Sequence, residues 1–406
     1  MAEGAHRPAW AEVDLGAIRR NVRLLRSIAA PARLCAVVKA DAYGHGAVEV
    51  ARAALEGGAA EIGVALADEG IELREAGIEA PILILSEPST EAMDETVRRR
   101  LTPTVYSLDG AARLAAAVDA AGRGTPFPVE VKLDTGMHRV GVDADALVPL
   151  VAALEARPEL SVAGLWTHLA VADEPDNPVT AEQLARFADG RAMLARAGLG
   201  AGARAHAANS AGAIAWPESR LDLVRCGISI YGYAPSPALS PAIATEAGRV
   251  AGSGAGDRLP ASLEPALTWK AQVSFVRHLA AGERLSYGLR APLPSASLVA
   301  TVPLGYCDGI PRAYFDAGGE VLVHGRRCRL AGTVTMDQIV VDCGDQHPVR
   351  PGDEVVLIGA QGGDRITAED WAAALRTISY EVITRIGPRV RRVYRAGGPV
   401  TEGGHR

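Results

Sequence analysis

Ala36-Val37-Val38-Lys39-Ala40-Asp41-Ala42-Tyr43-Gly44-His45-Gly46 is the stretch that decides the fold. An apolar run from Leu34 to Val38 ends in a lysine, and a glycine-bearing loop follows at once. Leu, Val and Ala runs bounded by turn residues read as a strand buried on both faces. A lysine at the end of such a strand sits on a rigid support at the rim of a core. Partial burial there favours the neutral amine, the form that makes Schiff bases, and so points to pyridoxal phosphate (PLP). A lysine that only snorkels its ammonium into solvent fits the same pattern, so the rest of the chain has to decide.

Working outward, the same kind of run recurs. Strand-like segments fall at 34–39, 61–66, 81–85, 102–106, 129–133, 161–167, 203–207 and 222–226, and alanine-rich helical stretches separate most of them, at 47–57, 68–76, 91–100, 109–122, 143–156 and 180–197. A first helix follows Asp14, with Ile18, Val22, Leu25 and Ile28 on one face. Strand–helix alternation also suits a doubly wound open sheet, but eight is the number that closes. The expectation is an α/β fold: an N-terminal (β/α)8 TIM-type barrel over 10–240. Beyond it the pattern turns to strands at 267–279, 297–303, 319–324, 327–331, 338–342 and 354–359, with one helix near 367–375 capped by Thr367. This is read as a separate, mostly β domain over 241–398. The Pro-, Ser-, Gly- and Ala-rich segment 235–263 reads as the connection, with a mobile insertion.

Bulk properties exclude several function classes. A net charge of −6 offers no basic field for nucleic acid. No run is long enough to span a membrane, and the first residues carry charges at Glu3, Arg7 and Glu12 with no apolar h-region. The five cysteines are scattered, with no C-x-x-C pair and no zinc spacing. Free thiols, no bound metal and a reducing, cytoplasmic location are expected.

Barrel enzymes draw catalytic groups from the carboxyl ends of several strands. Here polar residues fall on those ends in succession: Lys39; Lys132, Asp134, His138 and Arg139; Thr167 and His168; His206, Asn209 and Ser210; Arg225 and Ser229. Together with SYG at 286–288, GYCDG at 305–309, TVTMDQ at 333–338 and TISYEVITRIGPRV at 377–390, these motifs follow one order from near residue 10 to near 395. In that order and spacing the chain resembles the alanine racemases, PLP enzymes built from a barrel and a C-terminal β domain.

The resemblance implies the following roles. Lys39 holds PLP and acts as the base on one face of the substrate Cα. Tyr43, Tyr380, Ser210 and the N–H groups of Gly227 and Ile228 hold the phosphate, and loops after the last barrel strands are where such folds bind it. His168 stacks by the cofactor ring, and Asn209 belongs to the same cradle. Arg225 meets the pyridine nitrogen. Arginine cannot accept a proton there, so it weakens the electron sink, which suits a racemase. Tyr287 is the second base; an isolated tyrosine titrates near about 10, so His206 and Arg225 are candidates to assist it. Arg139 binds the substrate carboxylate with the backbone N–H of Met336. Lys132 matches a lysine that carries a carbamate in many relatives. Tyr306 and Asp308 match the lining of the substrate entry, where a narrow passage between Tyr306 and Tyr380 favours a methyl side chain, and Asp337 counts among the supporting residues. In the family the two bases meet across a homodimer.

The implied activity is interconversion of L- and D-alanine, supplying D-alanine for peptidoglycan. A racemase of broader range, acting on serine or basic amino acids, shares nearly all of these features. A PLP amino-acid decarboxylase shares the architecture, but Arg225 and the setting of Tyr287 argue against it. A PLP carrier protein usually lacks the second domain.

Overall fold

The computed structural model describes residues 7–122, 125–251, 260–346 and 348–396. The chain divides into two compact units: one of Gly16–Ala42 and Ala47–Pro265, the other of Met1–Leu15, Tyr43–Gly46 and Ala266–Arg406.

The first unit is the expected barrel. An N-terminal strand β1 (Ala9–Asp14) belongs to the other unit, so the barrel strands are β2 (Arg33–Val37), β3 (Glu61–Val64), β4 (Ile82–Ile84), β5 (Thr102–Val105), β6 (Phe127–Lys132), β7 (Leu160–Trp166), β8 (Arg204–His206) and β9 (Leu223–Cys226). All are parallel, and neighbours pair in the order β8-β7-β6-β5-β4-β3-β2-β9. The circle nearly closes where Asp222 N donates to Ala205 O and Arg225 N to Ala208 O, both at 3.0 Å. The first helix, Leu15–Ala29, buries Ile18, Val22, Leu25 and Ile28 as its spacing requires.

Helices Leu108–Ala120, Ala144–Glu155 and Val179–Arg196 pack Leu114, Val118, Leu147, Leu150, Leu154 and Phe187 into one core with Val129 and Val131 of β6. Each such side chain contributes about 1.5–3 kcal/mol by leaving water. Two carboxylates interrupt these apolar strands, Glu61 and Glu130, exposed by 2% and 0%. Both are paired by Arg204, at 2.5 and 2.7 Å, as a buried charge must be.

The expected connection at 235–263 is more ordered than its composition implied. It carries a 3-10 turn at Pro237–Leu239 and a helix at Ser240–Ala251. Ala247 of that helix packs on Leu24 and Ile28, with Leu263 against them. A small-residue face that fits a groove needs no long period of large side chains. Residues 252–259 of this segment, where part of the expected mobile insertion falls, lie outside the described residues.

In the second unit the sheet runs β11-β12-β15-β14-β13-β16-β10-β1-β18. Its strands are β10 (Leu267–Gln272), β11 (Phe275–Leu279), β12 (Ser297–Val302), β13 (Glu320–Val323), β14 (Arg326–Leu330), β15 (Ile339–Asp342), β16 (Glu354–Gln361), β17 (Asp364–Ile366, paired with β16) and β18 (Arg391–Arg395). The single run expected at 267–279 is two strands, broken at Val273 and Ser274. β1 pairs antiparallel with β10 and parallel with β18. Helix Ala368–Leu375 starts on the expected cap: Thr367 Oγ1 accepts from Asp370 N at 3.0 Å, and Asp370 Oδ2 accepts from Thr367 N at 2.8 Å. Its Trp371 stacks on Tyr314, ring centres 3.9 Å apart, and donates Nε1–H to Leu357 O at 3.1 Å.

Candidate active site

Five barrel strands deliver the polar residues that the sequence placed at strand ends. Lys39 lies just past β2, Lys132 closes β6, His168 follows β7, His206 closes β8 and Arg225 lies in β9. Beyond Lys39 the backbone does something the sequence did not announce. Ala40, Asp41, Ala42 and Tyr43 all have φ between 51° and 53°, and Gly44 has 81°. This is a turn of left-handed helix, which costs roughly 1–2 kcal/mol for each residue with a Cβ. Glu69 pins its start: Oε1 accepts from Ala40 N at 2.6 Å, and Oε2 from Ala65 N at 2.7 Å. Asp41 Oδ1 accepts from Ala47 N at 2.7 Å.

Arg225 is held on three sides. It donates to Thr167 O at 2.6 Å, to Ala207 O at 3.0 Å and to His206 Nδ1 at 2.8 Å. Because arginine only donates, His206 Nδ1 must accept, and its Nε2 carries the proton given to Glu130 Oε2 at 2.9 Å. Burial lowers the His206 pKa in the same sense. Burial opposes ionisation of Glu130, but His206 and Arg204 outweigh it and lower that carboxyl. Trp166 forms the floor: Lys132 Nζ and the Arg225 guanidinium lie 4.7 and 4.5 Å from its ring centre, and His206 stacks on it.

The electrostatics are unbalanced. Lys39 is lowered by burial and then by Arg139, with Glu69 opposing. Lys132 is lowered to about 8 by burial, then by Arg139 and Arg225. His168 falls well below its ordinary value through burial and the same cations. Asp134 spends its charge on backbone, accepting from the N–H groups of Gly136, Met137 and His138 at 3.0–3.1 Å. Four cations in mutual repulsion at and beyond the strand ends call for an anion. A phosphorylated cofactor with a carboxylate substrate matches that demand. Beside the expected phosphate loop the Ser229 hydroxyl is buried with no partner among the described residues, and Ser210 Oγ accepts from Gly227 N at 3.0 Å. The residues present therefore fit PLP. Asn209 is otherwise engaged: Oδ1 caps helix Ser210–Ala215 through Gly212 N at 2.9 Å, and Nδ2 donates to Leu169 O at 3.3 Å. These bonds fix the loop that carries Ser210.

The β unit gathers the remaining candidates. Loop 333–337 joins them: Thr333 Oγ1 donates to Tyr287 O at 2.9 Å, Tyr306 N to Thr335 O at 3.0 Å and Cys307 N to Met336 O at 3.1 Å. Tyr287, Met336 and Tyr306 are exposed by 71%, 50% and 43%. Asp308, expected in the lining of the substrate entry, is fully buried. Arg7 grips both of its oxygens at 2.6 Å, and Gly305 N donates to Oδ2 at 2.9 Å. It braces the Tyr306 loop. Asp337 accepts from Arg389 at 2.7 Å. Tyr43 and Tyr380 have ring centres 6.1 Å apart, and burial pushes the Tyr43 phenol up to about 12, so it stays a donor.

Sequence reading missed Glu69, Glu130 and Trp166 as parts of the site. Glu130 carried a signal: an acid inside an otherwise apolar strand needs a partner. Among the described residues no three His, Cys, Asp or Glu side chains form a metal site, and no helix is long and apolar enough to cross a membrane.

Residues 13–235 match the model of the alanine racemase N-terminal domain and 266–394 that of the C-terminal domain. The alanine racemase of Symbiobacterium thermophilum is 44% identical over 390 residues, covering 96% of this chain and 97% of that protein. That of Thermobifida fusca is 43% identical over 389 residues, covering 95% and 98%. Among solved structures, alanine racemase from D-cycloserine-producing Streptomyces lavendulae superposes with a TM-score of 0.85 at 40% identity, covering 97% and 98%. The Bacillus anthracis alanine racemase with bound L-Ala-P does so with 0.86 at 34% identity, covering 98% and 97%. In both domains, by sequence and by fold, this chain belongs to the alanine racemase family.

Proposed function

We propose that this chain interconverts L- and D-alanine with PLP, by proton exchange between two bases. The observation that carries the reading is the cationic group of Lys39, Lys132, Arg139 and Arg225, gathered at and past the strand ends, where burial and then the neighbouring cations lower both lysines. When bound, PLP supplies an electron sink that makes the Cα–H of an attached amino acid acidic. Lys39 would hold it, with Arg225 toward its ring nitrogen, His168 beside the ring and Tyr43, Tyr380, Ser210, Gly227 and Ile228 around its phosphate. Arg225 keeps its protons even though burial lowers it to about 10, so it gives the ring nitrogen a donor and takes nothing up. Arg139 would bind the substrate carboxylate, supported by Lys132 as a carbamate; a lysine titrating near 8 has the neutral amine that carbon dioxide requires.

Lys39 Nζ and Tyr287 Oη would each remove and return the Cα proton, on opposite faces. Tyr287 cannot serve a dry site while 71% exposed. Leu289 and Met336, exposed by 55% and 50%, extend the same apolar loop surface, which asks for a cover. A homodimer supplies one, with the β unit of one copy over the barrel mouth of the other and Met336 N–H reaching the substrate there. The test is a chiral assay of purified protein with PLP across a panel of L-amino acids. D-alanine from L-alanine supports the reading. Equal turnover of serine or basic amino acids would make it a broad racemase, and carbon dioxide release without racemisation would overturn it.

A further inference from the structure

Cys328 and Cys343 face each other across two strands of the β unit. β14 and β15 run antiparallel, with Arg329 opposite Asp342 and Leu330 opposite Val341. One residue further along, the same register sets Cys328 opposite Cys343. Ala331 N donates to Val340 O at 2.8 Å, so alternation makes the cysteines a non-hydrogen-bonded pair. Such pairs have Cα atoms about 4.5 Å apart and side chains on one face. Cys343 N agrees, donating to Leu298 O of β12 at 2.9 Å on the far side. That Cα spacing lies within the roughly 4.4–6.8 Å that disulfides bridge. The two thiols are close enough to perturb each other's ionisation, and Cys343 Sγ donates to Val341 O at 3.9 Å. Both are free, and both line an open pocket of about 320 Å³ beside His324, Arg326 and Arg329. The neighbouring thiol favours the thiolate at Cys328 against the opposing effect of burial, with Arg326 helping, while the same neighbour and burial keep Cys343 protonated.

We propose that Cys328 and Cys343 are a redox pair that closes to an intrachain disulfide by exchange with a low-molecular-weight disulfide such as oxidised glutathione. The Cys328 thiolate attacks one sulfur of that disulfide, forming a mixed disulfide and releasing one thiolate. Cys343 gives its proton to solvent and attacks the Cys328 sulfur, releasing the second. Two protein thiols are oxidised, one small disulfide is reduced to two thiols, and the balance closes. The pair lies at the open end of the β14–β15 hairpin, three residue pairs from Ala331 and Val340, beyond which the loop carrying Met336 and Asp337 begins. Any effect on turnover rests on the function proposed above; the disulfide does not.

The native protein is equilibrated with oxidised glutathione, quenched, unfolded and alkylated, then weighed intact and as peptides. Two of its five thiols are expected to escape alkylation, with one peptide pair joined through Cys328 and Cys343 and no glutathione retained. Cys343→Val, a substitution suited to a buried site, should instead retain glutathione on Cys328, and Cys328→Ser should form no intrachain bridge. Five alkylated thiols in the native protein, or a bridge through Cys35, Cys226 or Cys307, would overturn the proposal. So would a bridge that persists in either variant.

Discussion

Lys132 shows how one residue can be wrong for stability and right for chemistry. It is 3% exposed, over an indole ring and among cations, and it titrates near 8 rather than 10.5. The unfolded chain therefore binds the proton more tightly than the native one. Stability rises with pH between about 8 and 10.5, and the full penalty is present below about 8. The difference amounts to about 3 kcal/mol. In cofactor-free protein without carbon dioxide, Lys132→Met should raise the unfolding free energy at pH 7 by up to that amount, and the gain should vanish toward pH 11. Urea titrations at the two pH values check it, and an equal gain at both would mean packing alone is responsible. The identity of such residues was legible because lysine, histidine and arginine at strand ends stand out against Val and Ala. Their partners were not. Glu130, Trp166 and Thr167 act on them from neighbouring strands, and which strands are neighbours is settled only when the sheet closes.

At the scale of the element, the left-handed turn after β2 is the least legible part of the chain. Ala40, Asp41 and Ala42 favour a right-handed helix or a loop by composition, and nothing local asks four residues with a Cβ to take positive φ. The conformation is imposed from outside by Glu69, one carboxylate serving backbone N–H groups of two loops. Glu69 also raises the Lys39 pKa against burial and Arg139. Glu69→Gln removes that charge and leaves an amide N–H where an acceptor is needed. It should cost about 1–3 kcal/mol of stability, and in cofactor-free protein it should shift the pH dependence of PLP uptake by Lys39 toward acid. A destabilised variant with an unmoved uptake profile would reduce Glu69 to a structural role. Strands tell the converse story. β2 to β9 were readable because each is a short apolar run between helices. β1 and β18 were not, because Trp10 finds Arg391 and Lys270 only in the folded sheet, and Arg391-Arg392-Val393-Tyr394-Arg395 looks like a solvated tail.

For the whole molecule, the question is whether one chain suffices. The barrel unit carries Lys39 and the cations, and the β unit carries Tyr287 on an exposed loop with Leu289 and Met336. A phenol open to water keeps its solvation, which is a poor setting for exchanging a proton with carbon. If the proposed dimer is right, each site takes its lysine from one copy and its tyrosine from the other. Lys39→Ala and Tyr287→Phe would then fail separately for different reasons. Mixed after dissociation and reassociated at random, half of the dimers would be hybrids. Each hybrid would own one site missing both groups and one site with both intact. About a quarter of the native racemase activity should return, measured against unmixed controls by chiral assay, with hybrid formation verified by differently tagged chains. Were both bases supplied by one chain, every hybrid site would lack one of them, and no activity would return however complete the exchange.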